Sequence, residues 1–295
     1  MESLAPNLWI KRDDLTALPI GGNKVRSLEF LLGGVTRGDR VVTVGSRGST
    51  HALATAIHGR AIGASVAVGL WPQEMNPGAE LVRDELRRVA TSRREFATPA
   101  LALPWLWWRA IRGDRTIPSG GTSPLGMLGH VNAALEVARQ VRSGLIPEPK
   151  QVVVPLGTGG TAAGLALGFA IAGMHPLIIA ARVVPRIVGR KNRVLRLANA
   201  TRAFVERLAG VALPRIPSSG IRVVNTVYGG AYGRALARAG SAAERLSDAI
   251  GVTVDATYAA KAFVAALDAA NGAPTLFWLT FDARWIGRGG GHASR

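Results

Sequence analysis

The stretch VVVPLGTGGTAAGL, residues 152–165, joins a β-branched run to a glycine-rich turn and then to a helix of small residues. Strand, tight turn and helix in that order form part of a βαβ unit, in which a right-handed crossover returns the chain to a parallel neighbour. Glycines let a backbone approach a ligand closely. The free N–H groups of a helix start, with the positive end of its dipole, can then cradle a phosphate. No Lys-Ser/Thr follows the glycines, so the turn is not a Walker loop. Nor does GTGGTAAG keep the G-x-G-x-x-G spacing, and no acidic residue stands about 20 residues on, where a dinucleotide ribose would need one. On these residues alone, a phosphate cradle and a plain packing turn both stay open.

The same alternation extends in both directions. Towards the N-terminus the pattern predicts strands at 7–13, 40–46 and 64–71, with helices at 24–35, 49–63 and 77–90 between and after them. A Trp-rich stretch at 103–111, a Gly/Pro-rich loop at 117–126 and a helix at 127–144 lead up to the central strand. Beyond it, 177–184, 221–228 and 274–281 read as strands, and 241–251 and 259–272 as helices. Alternation of this kind predicts α/β architecture with open, mostly parallel sheets flanked by helices. No internal repeat is visible, and the tail at 286–295 has nothing to pack.

Composition limits the functions on offer. A chain of 295 residues, 48% of them hydrophobic, can bury a sizeable core in two lobes. Cysteine is absent, which removes disulfides, thiolate metal sites and cysteine nucleophiles. The five histidines show no two-histidine metal spacing, so no metal is expected. No basic, apolar leader precedes KRDD and no apolar run reaches membrane length, so the expectation is a soluble, cytoplasmic protein that does not engage a membrane. Lys and Arg number 36 against 19 Asp and Glu, a net charge of +17 concentrated at 87–95 and 186–196. Such a field attracts polyanions, but no nucleic-acid motif accompanies it, and solvated arginine-rich helix faces are the expected reading.

A second short stretch, GGNKVRSLEF at 21–30, sets Lys24 behind two glycines and an asparagine at a helix start. A lysine there is either solvent-exposed or, paired with a phosphate cradle elsewhere in the chain, able to hold a phosphate-bearing aldehyde as a Schiff base.

LWIKRDDLTALPIGGNKVRSLEFLL, 8–32, resembles the cofactor-lysine segment of the D-cysteine desulfhydrase and 1-aminocyclopropane-1-carboxylate deaminase family. Those are pyridoxal-phosphate enzymes with the two-lobed tryptophan-synthase-β fold, fold type II. The likeness continues through GSRGSTHALATA, IPSGGTSPLGMLGHV, PLGTGGTAAGL, GGAYG, DATYAAKAF and FWLT, in the family's order. It implies pyridoxal 5'-phosphate as cofactor, bound through Lys24, with Asn23 beside the ring and Thr50 near it. It further implies that Gly157, Thr158, Gly159, Gly160 and Thr161 hold the phosphate, and that Thr280 faces the pyridine nitrogen. Ser49, Thr50 and His51 would bind the substrate carboxylate through backbone and hydroxyl donors, and Tyr258 and Tyr232 would serve beside Lys24 in acid/base work or in stacking.

The implied activity is that of a lyase: β-elimination from D-cysteine or a similar small amino acid, giving hydrogen sulfide, ammonia and a 2-oxo acid. A racemase, dehydratase or β-replacement enzyme is the alternative, as is a homologue with weakened catalysis. A homodimer is expected, with a large domain from 1–40 and 150–295 and a small α/β domain from 41–149.

The chain also departs from the family pattern. Thr50 stands where the family carries Asn, and Phe281 and Asp282 replace a Gly-Gly pair. Ala259 takes the place of the Glu that cyclopropane-opening members carry beside the tyrosine, which counts against that reaction. Phe281 is expected to narrow the substrate pocket, so that Phe281→Gly would speed turnover.

Overall fold

The computed structural model describes residues 2–281 except 235 and 256, so Asp282 and the tail lie outside the described residues. Two sheets organise the chain. The larger has six strands in the order β1 (Glu2–Ala5), β2 (Leu8–Arg12), β10 (Thr275–Leu279), β7 (Gln151–Leu156), β8 (Leu177–Arg182) and β9 (Ile221–Val224). Only the β1–β2 pair is antiparallel; the other neighbours are parallel. The smaller sheet has β5 (Ser92–Glu95), β4 (Ser65–Trp71), β3 (Arg40–Ser46) and β6 (Arg115–Ile117) in that order, all parallel.

The larger sheet is buried on both faces, which is why its strands read as unbroken apolar runs. Successive residues still divide between the faces. Val152, Val154, Leu156, Leu276 and Trp278 join one cluster, under α5 (Pro124–Arg142), α6 (Gly160–Ile171) and α7 (Lys191–Ala209). Val153, Phe277 and Leu279 join the other, under α8 (Ala237–Ile250) and α9 (Ala259–Ala270). The smaller sheet packs Val41, Val66 and Val68 against α2 (Thr50–Ala61) and α3 (Pro77–Val89), together with Leu28 of α1 (Asn23–Leu31).

Helix α5 lies between 41 and 149 in sequence, yet Met127, Ala134 and Val137 belong to the core of the larger sheet. Small residues permit this packing. A Cβ on Gly164 of α6 would stand 2.5 Å from His130 Cβ, and one on Gly129 of α5 would stand 1.8 Å from the carbonyl oxygen of Arg26 in α1.

Several elements escape the sequence pattern, the short strands β1 and β6 among them. Helix α7 begins inside the basic run at 186–196, where charge masks the periodicity of Val194, Ala198 and Thr201 on its buried side. Strand β5, SRRE, is exposed throughout, so hydrophobic alternation cannot reveal it; pairing with β4 makes it a strand. The Trp-rich stretch is a helix, α4 (Pro99–Ile111), whose Trp107 and Trp108 stay largely exposed. Among the described residues no helix is long and apolar enough to cross a membrane, and no group of three or more His, Asp or Glu could hold a metal ion.

Candidate active site

Strand β7 runs into the loop 157–161 and then into α6. Gly159 caps the helix with φ 97°, in the left-handed region that favours glycine, and no side chain caps it. The first N–H groups of α6 therefore have no partner within the helix and face a cavity of about 830 Å³ with the positive end of the dipole. Thr158 is held at both ends. Its Oγ1 lies 2.6 Å from Thr122 Oγ1, and its carbonyl accepts from Arg193 Nε at 3.1 Å.

Opposite this loop, α1 starts from Gly22, whose φ of 125° again suits glycine. A Cβ there would stand 2.7 Å from the Thr280 carbonyl oxygen. That close approach is functional in shape: the Asn23 N–H donates to the same oxygen at 2.9 Å, and Asn23 Nδ2 donates to Thr161 Oγ1 at 2.8 Å. One asparagine thus ties the lysine helix to the end of β10 and to the phosphate-type loop. A polar knot supports it from behind. The Asp13 carbonyl accepts from Gly22 N, while its carboxylate takes Arg26 at 2.7 Å and Trp278 Nε1 at 2.7 Å.

Lys24 projects into the cavity without a hydrogen-bond or ion-pair partner among the described residues. Part of its side chain is reachable from the cavity, yet protein surrounds it so closely that desolvation lowers its pKa from 10.5 to about 8. Two imidazoles stand behind it. His51 Nε2 lies 3.0 Å from Thr43 Oγ1, and His130 Nε2 lies 3.1 Å from Ser27 Oγ and 3.4 Å from Thr161 Oγ1. Burial first, and the Lys24 charge second, lower both histidines to about 3, so both are neutral.

The start of α2 forms a third wall. Ser49 is its cap, accepting from Ala52 N at 3.2 Å, which leaves the N–H groups of Thr50 and His51 without intrahelical partners. Its oxygen serves the helix while its O–H proton stays free to donate, and the His51 ring meets Thr43 through Nε2. What this wall offers an anion is backbone N–H and the hydroxyls of Ser49 and Thr50.

The fourth wall is the tyrosine pair. The hydroxyls of Tyr232 and Tyr258 are hydrogen-bonded, with rings edge to face at 5.9 Å. Asp255 anchors the pair, accepting from Tyr258 N at 2.6 Å and Ala259 N at 3.0 Å. Burial raises the pKa of both phenols, that of Tyr258 well above its usual value, so both keep their protons. Burial also lifts Asp255 from 3.8 to about 6, against the pull of the N–H donors and of Lys261.

Every residue expected to bind cofactor or substrate or to take part in catalysis lines this one cavity. Two further residues were not anticipated: Arg193, which lines the cavity and whose basic run was noted only for its charge, and His130, which backs Thr161 from behind and whose loop-helix stretch carries no spacing signal. Phe281 lines the cavity and is at the same time a core residue, 6% exposed and clustered with Ile20, Leu28 and Leu53.

An unpartnered, partly neutral amine facing an uncapped glycine-rich helix start suits a phosphate-bearing aldehyde. The sequence profile of the family described as "Pyridoxal-phosphate dependent enzyme" matches residues 2–276, and the chain belongs to that family. Its cofactor is pyridoxal 5'-phosphate, and its fold is the two-lobed α/β fold of the fold type II enzymes.

Relatives narrow this further. The chain is 33% identical to a putative 1-aminocyclopropane-1-carboxylate deaminase of Pyrococcus abyssi, over 91% of this chain and 81% of that one. It is 30% identical to a D-cysteine desulfhydrase of Klebsiella pneumoniae, over 90% and 82%. To a nocardicin C-9' epimerase of Nocardia uniformis subsp. tsuyamanensis it is 34% identical, over 97% and 90%. Among solved structures, an ACC deaminase homologue superposes with a TM-score of 0.74 at 29% identity, over 93% and 84%. The protein is a pyridoxal-phosphate enzyme of the ACC deaminase and D-cysteine desulfhydrase type.

Proposed function

We propose that the protein is a lyase that removes the β-substituent of a small amino acid, D-cysteine above all, with release of hydrogen sulfide, ammonia and a 2-oxo acid. The observation that carries this reading is the protonated Tyr232–Tyr258 pair lining the same cavity as the unpartnered Lys24 amine. Elimination needs a base at Cα and an acid at the leaving group.

In this proposal the N–H groups of Gly157 to Thr161 bind the cofactor phosphate, Asn23 borders the ring and Thr280 meets the ring nitrogen with a hydroxyl. The cofactor supplies an electron sink for the bonding pair left at Cα. Thr50 and the N–H groups of Thr50 and His51 hold the substrate carboxylate, with Ser49 fixing their geometry. The Lys24 amine takes the α-proton. As the Cβ–S bond breaks, its electrons leave with sulfur, and the tyrosine pair supplies the proton that converts the departing hydrosulfide to hydrogen sulfide. The two hydroxyls share a hydrogen bond, so a proton given up by one can be replaced through the other.

The proposal includes two lobes: a small one of 41–149 around the smaller sheet, and a large one of 1–40 with 150–295 around the larger sheet. The packing of α5 supports assigning 124–142 to the larger core as well. It also includes a homodimer in the cytoplasm, which sedimentation equilibrium at twice the chain mass would support. Epimerisation is the second reading, favoured by the likeness to the nocardicin C-9' epimerase. A base on one face of Cα and a phenol on the other would then remove and return a proton with inversion.

The test is a panel of D-cysteine, L-cysteine and D-serine, scored for 2-oxo acid release and for solvent deuterium at Cα. Borohydride reduction with peptide mapping should place the cofactor on Lys24. Deuterium uptake with inversion and no 2-oxo acid would replace the lyase by the epimerase. A label on another lysine would remove the site reading itself.

A further inference from the structure

We infer that Arg193, on the first turn of α7, is a further binding residue for the cofactor's phosphate, acting as an electrostatic clamp on the loop 157–161. This rests on the cavity being the cofactor site.

Three observations carry it. Arg193 lines the same cavity as Lys24 and Thr161, and its Nε donates to the Thr158 carbonyl at 3.1 Å. That bond uses one edge of the guanidinium and leaves its terminal amino groups without an ion-pair partner among the described residues. Helix α7 also packs directly on the loop: Leu197 Cδ1 and Val194 Cγ2 would lie 3.3 and 3.5 Å from a Cβ on Gly159. A guanidinium anchored in this way is already ordered, so little rotamer freedom is lost when it meets an anion.

The charge balance points the same way. The acidic side chain on the described cavity wall is Glu74, and it is paired with Arg234 at 3.3 Å. A phosphate dianion at the start of α6 gains from the helix dipole and N–H groups, and a guanidinium supplies the full positive charge that those partial charges lack. Fixing the Thr158 carbonyl also holds the orientation of the peptide plane that follows it, so one side chain would both shape the cradle and neutralise its ligand.

The test uses cofactor-stripped protein and compares pyridoxal phosphate with pyridoxal, which lacks the phosphate. Arg193→Gln should weaken pyridoxal phosphate by roughly tenfold or more, the expected loss of a charge-assisted contact, while leaving pyridoxal affinity unchanged. Arg193→Lys, which keeps the charge and loses the fork, should fall between. Inorganic phosphate should raise the melting temperature of the wild-type apoprotein and fail to raise that of Arg193→Gln, with equal ligand-free melting temperatures showing that the variant folds.

Equal weakening of both ligands would mean that Arg193 only shapes the loop, and the inference would fall. Unchanged pyridoxal phosphate affinity would overturn it too, as would a loss confined to the KM for substrate, which would assign the guanidinium to the substrate. Failure of the wild type itself to bind pyridoxal phosphate would be a failure of the site reading, and is separately visible.

Discussion

Mild acid should destabilise this protein strongly, because two imidazoles are buried behind Lys24. His51 and His130 are lowered from 6.5 to about 3, by burial first and by the lysine charge second. The unfolded chain therefore binds protons that the folded one refuses. The stability from each histidine is full above 6.5 and is lost as pH falls from there towards about 3. Between pH 7.5 and 5 each should cost about 2 kcal/mol, roughly 4 together. His58, lowered by its own burial, adds to the loss.

Asp255 opposes it. Its folded pKa is raised from 3.8 to about 6, so the folded state takes up the proton first and gains stability as pH falls through that value. That returns about 1 kcal/mol at pH 5, for a net loss of roughly 3 out of a typical total of about 5–15 kcal/mol.

The assay is urea unfolding of cofactor-free protein, in which Lys24 keeps its charge, at about pH 7.5, 6 and 5. His130→Gln keeps a hydrogen-bonding side chain and removes one titration, so it should lose about 2 kcal/mol less than wild type over that interval, whatever its own baseline. A wild-type stability that stays level, or one that falls in parallel with the variant, would refute the reasoning.

Tyr232→Phe and Tyr258→Phe should each lower kcat for 2-oxo acid release by about a hundredfold, with the double variant little worse, because the two hydroxyls act as one donor. Steady-state kinetics of the three variants checks this, and losses that multiply would show the phenols acting independently. Phe281→Gly should cost about 3–5 kcal/mol in urea unfolding by emptying a packed core position. Unchanged stability would refute the core role of Phe281.

Much of the architecture is legible in local pattern. Buried parallel strands such as VVVPL and TLFWL must be apolar on both faces, and the glycines at 22 and 159 must permit positive φ, so fold class and the cofactor loops appear as runs and turns in the sequence. The family likeness rests on the same segments, since each holds one wall of the cavity. Charge and exposure conceal the rest. Helix α7 starts within a basic run, and β5 exposes every side chain, so neither shows a hydrophobic period.

Tertiary structure alone decides what each side chain meets. The His51 ring meets Thr43, and Ser49 Oγ accepts from Ala52 N to cap α2. Phe281, just beyond β10, both lines the cavity and closes a core. Arg193 reaches the cavity, and His130 backs its wall at Thr161, from helices far along the chain from Lys24, through contacts that no local spacing encodes. The lowered pKa of Lys24 belongs to the same class. Desolvation depends on how closely distant segments enclose an amine, and that enclosure exists only after two sheets and their helices have packed around it.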